Sequence, residues 1–164
     1  MKRNLQYFTV LLLLVIITSC AQKIISNKAE SYTKKPKRIF IESVYPPKGA
    51  EVSTKFAKEM GQQLIAYSVQ STSFAHSNLS FDTDEDIFKK AFDFNADAVM
   101  VVRQTYDAGN AGSFIIALYD AETKKPFWKS TFDIGMGDIY NDQSAQTTVK
   151  SIIKKLIQDG VMGE

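Results

Sequence analysis

The spacing of apolar and polar positions divides the chain into short elements. Arg38-Ile39-Phe40-Ile41-Glu42-Ser43-Val44 is rich in β-branched and aromatic residues. It stops at Tyr45-Pro46-Pro47-Lys48-Gly49, where proline cannot continue a hydrogen-bonded ladder, which predicts a first strand and a turn. Val52, Phe56, Met60 and Leu64 then recur at every fourth position with Ala57 and Tyr67 beside them, so a helix with one buried face follows. Ser53 is its expected N-cap, and Gly61 weakens it by up to about 1 kcal/mol while allowing close packing on a sheet. Thr72 to Ser77 reads as a second strand. Thr83-Asp84-Glu85-Asp86 caps a second helix, whose expected buried face is Ile87, Phe88, Ala91 and Phe92.

Ala98-Val99-Met100-Val101-Val102 is an unbroken apolar run, as in a central strand covered on both faces. It leads through Gly109-Asn110-Ala111-Gly112 to a strand over Phe114 to Tyr119, a turn over Asp120 to Lys125 and a fifth strand from Phe127 to Ile134. Val149, Ile152, Ile153, Leu156 and Ile157 mark a closing helix that ends near Gly160. The order β-α-β-α-β-β-β-α predicts an α/β (α+β) domain, a mixed sheet of about five strands packed by three helices. Strands separated by helices should run parallel, and the last three should form an antiparallel meander.

The first residues follow other rules. Lys2 and Arg3 precede the apolar run Phe8 to Ile17, and Thr18, Ser19 and the single cysteine, Cys20, come next. This is the layout of a secretory signal. The run is shorter than the roughly 18 to 20 residues that a membrane-spanning helix needs. Ile17-Thr18-Ser19-Cys20 resembles the bacterial lipobox, which implies that Cys20 is acylated and becomes the mature N-terminus. With one cysteine no intramolecular disulfide can form. The expected organisation is a signal peptide over 1–19, a lipidated N-terminus and flexible basic tether over 20–37, and a single domain over 38–164. A coil of about 18 residues has an r.m.s. span of roughly 25 Å. Ala21 is not the aspartate that retains lipoproteins at the inner membrane, which points to the outer membrane, facing the periplasm.

Charge changes the picture in one respect. Lys2 and Arg3 are the only charges before Cys20, so of 20 basic and 18 acidic residues the rest of the chain holds 18 of each. Ala21 to Arg38 carries Lys23, Lys28, Lys34, Lys35, Lys37 and Arg38 against Glu30, which leaves the folded part acidic. That distribution argues against nucleic-acid binding. The basic stretch either lies against an anionic leaflet, at about 1 kcal/mol per residue near the surface, or is a solvated linker.

Three further features carry a resemblance: the element order, the junction Phe94-Asn95-Ala96-Asp97-Ala98-Val99, and Tyr119-Asp120-Ala121-Glu122-Thr123 followed by Phe127-Trp128. Over about residues 37 to 160 the chain is similar to a group of bacterial envelope lipoproteins. That group includes the N-terminal domain of TolB, the core of CsgG and LpoB. Its hairpin usually has glycine where this chain has Lys124. The resemblance implies a non-enzymatic, membrane-anchored module that binds another envelope protein.

Candidate chemistry is sparse. Asp82, Asp84, Asp86 and Asp93 match carboxylate positions of a calcium loop, but Ile87 stands where that loop needs glycine, so the stretch reads as an acidic helix N-terminus. His76 is the only histidine and no G-x-S-x-G elbow accompanies a serine, so no catalytic residue, metal ligand or cofactor-binding residue is assigned. Gly135-Met136-Gly137 lacks the third glycine and the lysine of a phosphate loop. Strand alternation puts Trp128 and Phe132 on one face and Phe127 on the other. Phe127 and Trp128 are therefore candidate partner-binding residues if exposed; the competing reading buries all three. The alternative function is a small-ligand or lipid-binding module with an apolar pocket between sheet and helices.

Overall fold

A computed structural model describes residues 24–47, 49–107, 112–134 and 142–163. In chain order the elements are β1 (Ile25–Lys28), β2 (Arg38–Tyr45), α1 (Ala50–Leu64), β3 (Gln70–Ser77), α2 (Asp84–Asp93), β4 (Ala98–Asp107), β5 (Gly112–Asp120), β6 (Pro126–Ile134) and α3 (Asp142–Gln158). They build an α/β fold around one mixed sheet of order β1-β6-β5-β4-β2-β3. β2 runs parallel to β3 and β4, and β4, β5, β6 and β1 are successively antiparallel. The order expected from residue 38 onward is present, preceded by a sixth strand.

α1 and α3 cover one face of the sheet. Ile39, Ile41, Met100, Phe114, Ile116, Leu118, Trp128 and Phe132 point into that layer and meet Val52, Phe56, Met60 and Leu64 of α1 and Val149, Ile152 and Leu156 of α3. α2 covers part of the opposite face, over Phe40 and Val99. Beyond it Ile115, Lys129 and Thr131 of β5 and β6 are exposed on that face.

Several terminators follow their expected chemistry. The Thr83 hydroxyl accepts the Asp86 N–H at 3.3 Å while the Asp86 carboxylate accepts the Thr83 N–H at 2.9 Å, a complete capping box. Gly160 takes φ +67° after α3, and the N–H of Val161 reaches the Leu156 carbonyl at 2.8 Å. That closes a Schellman motif. Two expectations shift. α1 starts earlier, with Gly49 rather than Ser53 at its cap, because the Pro46-Pro47 turn already delivers the chain there; Ser53 is buried inside the helix. Phe92, expected on the buried face of α2, is 78% exposed. At 100° per residue it lies about 140° from Ile87, and α2 buries only the narrow stripe of Ile87 and Ala91.

The stretch expected as a flexible tether is built into the sheet from Ile25. β6 would otherwise present an unpaired edge, and Ile25–Lys28 fills it, pairing with Thr131 to Trp128. Tyr32 then stacks on Phe127 with centroids 3.6 Å apart. At the foot of the sheet the Asp97 carboxylate accepts the N–H groups of Lys37 and Arg38 at 2.7 and 2.9 Å.

The β5–β6 hairpin corrects the alternation argument. Leu118 pairs with Trp128 and Tyr119 with Pro126, so a bulge falls at Phe127. Phe127 and Trp128 are 4% and 1% exposed and belong to the same core, Phe127 under Tyr32. Neither side chain is a surface anchor. Lys124, at the usual glycine position, adopts φ +56°, the left-handed conformation that glycine adopts freely. Lys124→Gly is therefore expected to raise stability by up to about 1 kcal/mol, measured by urea unfolding. An unchanged or lowered midpoint would show that contacts of Lys124, such as its ammonium 5.2 Å above the Phe88 ring, outweigh the backbone strain.

Candidate functional site: an open sheet edge beside a shallow groove

β3 lies at one end of the sheet and, among the described residues, pairs only with β2. The Gln70 N–H donates to the Lys37 carbonyl and the Asn78 N–H to the Tyr45 carbonyl, both at 2.8 Å. Backbone groups alternate along a strand, so those of Ser71, Ser73, Ala75 and Ser77 point away from the sheet. The run Gln70-Ser71-Thr72-Ser73-Phe74-Ala75-His76-Ser77 has no lysine, no proline and no bulge, the devices that usually block edge pairing.

Side chains complete the geometry. Ser71, Ser73 and Ala75 share register with Ile39, Ile41 and Ser43, so they face α1. α1 presents Ala57 and Gly61 there, and a Cβ at Gly61 would lie 3.1 Å from the Ser71 hydroxyl. These small residues leave a cavity of about 330 Å³ between helix and strand, bordered by Lys58, Gln62 and Ile65. Ile65 is 69% exposed beside it. The arrangement offers an extended chain a row of backbone donors and acceptors with an adjoining recess for side chains.

His76 and Phe74 face the other way. His76 Nε2 lies 2.8 Å from the Glu42 carboxylate, and Nδ1 lies 3.1 Å from the Ser77 carbonyl. Phe74 stacks on the imidazole, and the Lys90 ammonium lies 4.6 Å above the Phe74 ring. His76 thus braces the edge strand from behind. Asp82 pairs with Lys90 at 2.9 Å and Asp86 serves the capping box. Gly135-Met136-Gly137 and Cys20 lie outside the described residues.

A second cleft, of about 460 Å³, opens at the foot of the sheet among Tyr32, Lys34, Lys37, Asp97, Asp120 and Glu122. Lys34, Asp97 and Asp120 hold the N-terminal segment there. The Lys34 ammonium donates to Asp120 at 2.9 Å, and Asp120 also accepts the Thr123 N–H at 2.8 Å and its hydroxyl at 2.9 Å. Burial disfavours the Asp120 carboxylate, but these bonds outweigh it and hold its pKa below the usual 3.8. A depressed carboxylate pKa stabilises the fold above the unfolded value and loses that contribution as pH falls through the folded one. Urea midpoints of the wild type should therefore fall more steeply below pH 4 than those of Asp120→Asn. Parallel curves would mean that Asp120 contributes no such linkage.

No protein-family model matches the chain, and no curated protein sequence matches it. Solved structures do. Two structures of the PelC dodecamer from Paraburkholderia phytofirmans align with TM-scores of 0.58 and 0.56 at 10% and 12% identity, covering 87% of this chain and 99% of PelC. TolB from Acinetobacter baumannii aligns at 0.45 with 14% identity over 84% of this chain and 31% of TolB. The C-terminal domain of LpoB from Salmonella enterica aligns at 0.47 with 13% identity, over 66% of this chain and 88% of that domain. The neighbours thus include members of the group that the sequence resembles, and the likeness to PelC shows the fold.

The sequence legibly marked β3 as a strand but gave no sign that it is an edge. Phe127 and Trp128 do not join this site. At the end of the meander β6 is covered by β1, and β3 is the end strand on the opposite side of the sheet.

Proposed function

We infer that this chain is an envelope lipoprotein, anchored through acylated Cys20 to the outer membrane and facing the periplasm, whose α/β domain is a non-enzymatic protein-binding and assembly module. The single observation that carries the reading is the unguarded eight-residue edge of β3 beside the α1 groove. It takes up an extended segment of another envelope protein by strand addition, with the recess at Gly61 selecting the side chain that points inward.

A second copy of the chain is the first partner to test, because PelC, of like fold, is described as a dodecamer. The sheet has different edges at its two ends, β3 and β1, and a head-to-tail contact between unlike surfaces generates a ring where the rotation between copies closes. The experiment is in-cell crosslinking of the tagged, full-length lipoprotein in its native host, followed by mass spectrometry of the adducts. A dominant adduct to one envelope protein, or to the chain itself, through β3 supports the reading. No adduct above background, or adducts that map away from β3 and α1, overturns it.

A further inference from the structure

The loop between β3 and α2 exposes both of its large apolar residues. Leu79 is 72% and Phe81 99% exposed. The loop is nonetheless held in shape. The Ser80 N–H donates to the Ser77 carbonyl at 2.9 Å, the Leu79 N–H to the Ser77 hydroxyl at 3.1 Å, and Asp82 is fixed by Lys90 at 2.9 Å. Two large apolar side chains exposed on one ordered loop are a feature of protein- or membrane-contact sites.

The sheet register says where that surface lies. Ile25 pairs with Thr131, Thr131 with Ile115, Ile115 with Arg103, Arg103 with Val44 and Val44 with His76. Ile25 and His76 thus end one row across all six strands, about 24 Å wide at the usual strand spacing. β1 runs downward from Ile25 and β3 upward to Ser77, so the chain enters the domain at the end from which the Leu79–Phe81 loop projects. Four residues separate Cys20 from Ile25, and the five Cα-to-Cα steps reach at most about 17 Å. Lys34, Lys35, Lys37 and Arg38 lie at the opposite end, beside the starts of β2 and β4, away from the point of entry.

We propose that Leu79 and Phe81 insert into the lipid surface to which Cys20 anchors the chain, making a second membrane contact that fixes how the domain stands. This rests on acylation of Cys20. The occupant is a lipid interface of low charge, because Asp82, Asp84 and Glu85 follow Phe81 and would be repelled by an anionic one. A domain held at two points keeps the β3 edge upright from the bilayer, with the Lys34 cleft facing away.

The test uses the full-length acylated protein in phosphatidylcholine vesicles whose acyl chains carry a bromine quencher. Phe81→Trp adds an exposed indole to a chain whose own tryptophan, Trp128, is buried in the core. The added fluorescence should be quenched about twofold or more and shifted to the blue, with wild-type emission little changed. Vesicles that float with the protein but leave the added indole unquenched overturn the loop contact and leave the anchor standing. Protein that does not float, or that floats equally well as Cys20→Ala, overturns the anchor and the proposal with it. In native envelopes, an adduct from position 81 to a protein instead of lipid also counts against it.

Discussion

Trp128→Ala is expected to destabilise the domain by about 3 to 5 kcal/mol, the range for deleting a large buried aromatic side chain. Trp128 lies in the layer between the sheet and α3, and its indole N–H donates to the Asp159 carboxylate at 2.8 Å. That carboxylate also accepts from Ser26 of β1 at 2.6 Å and from Lys155 at 2.7 Å. Burial works against the Asp159 charge, yet the bonds from Lys155, Ser26 and Trp128 keep its pKa below 3.8. Truncation therefore opens a cavity and removes one donor from the knot that ties β1 and α3 to β6. Trp128→Phe keeps most of the volume and should cost roughly 1 to 3 kcal/mol. Urea unfolding of the detergent-solubilised protein, followed by circular dichroism, measures both. A loss below about 1 kcal/mol for the alanine variant, with partner binding lost, would return Trp128 to the interface role that the sequence left open.

Ser73→Pro should abolish partner binding while leaving the domain folded. The Ser73 N–H points out of the sheet, so proline removes a docking donor and puts a ring in the path of an incoming strand, without breaking a bond to β2. Adduct yield in the native host should fall tenfold or more, with unfolding free energy within about 1 kcal/mol of wild type. Ser73→Thr keeps the N–H and should behave as wild type. The neighbouring Thr72→Pro supplies the contrast, since its N–H points toward β2 and its loss should cost about 3 kcal/mol. If Ser73→Pro binds normally, strand addition at β3 is wrong.

These two outcomes separate what the sequence made legible from what it did not. The face of α1 was readable because Val52, Phe56, Met60 and Leu64 bury one stripe through local spacing alone. The Thr83 cap and the Gly160 stop were equally local. β1 was not readable, because Ile-Ser-Asn-Lys has little strand pattern of its own and is ordered by the edge of β6 about a hundred residues away. The burial of Phe127 depends on the same distant segment, through Tyr32, and on a bulge that alternation does not foresee. Lys124 shows the reverse case: the letter departs from the glycine pattern, yet the turn survives, held by Asp120 accepting from Thr123 and by the Lys124 N–H reaching the Asp120 carbonyl at 2.9 Å. Of the candidate site, the presence of β3 and the close approach at Gly61 were visible. The place of β3 at the edge is set by strand order, a non-local property.

Binding of the outward backbone of β3 in the assembled state would be read most directly by amide hydrogen exchange. The full-length protein would be compared in membranes of its native host and after dilution into detergent as isolated chains. The amides of Ser71, Ser73, Ala75 and Ser77 should exchange slowly in the envelope and rapidly when isolated, while those of Thr72 and Phe74 stay protected in both. Equal, fast exchange of the outward amides in the native envelope would contradict the account.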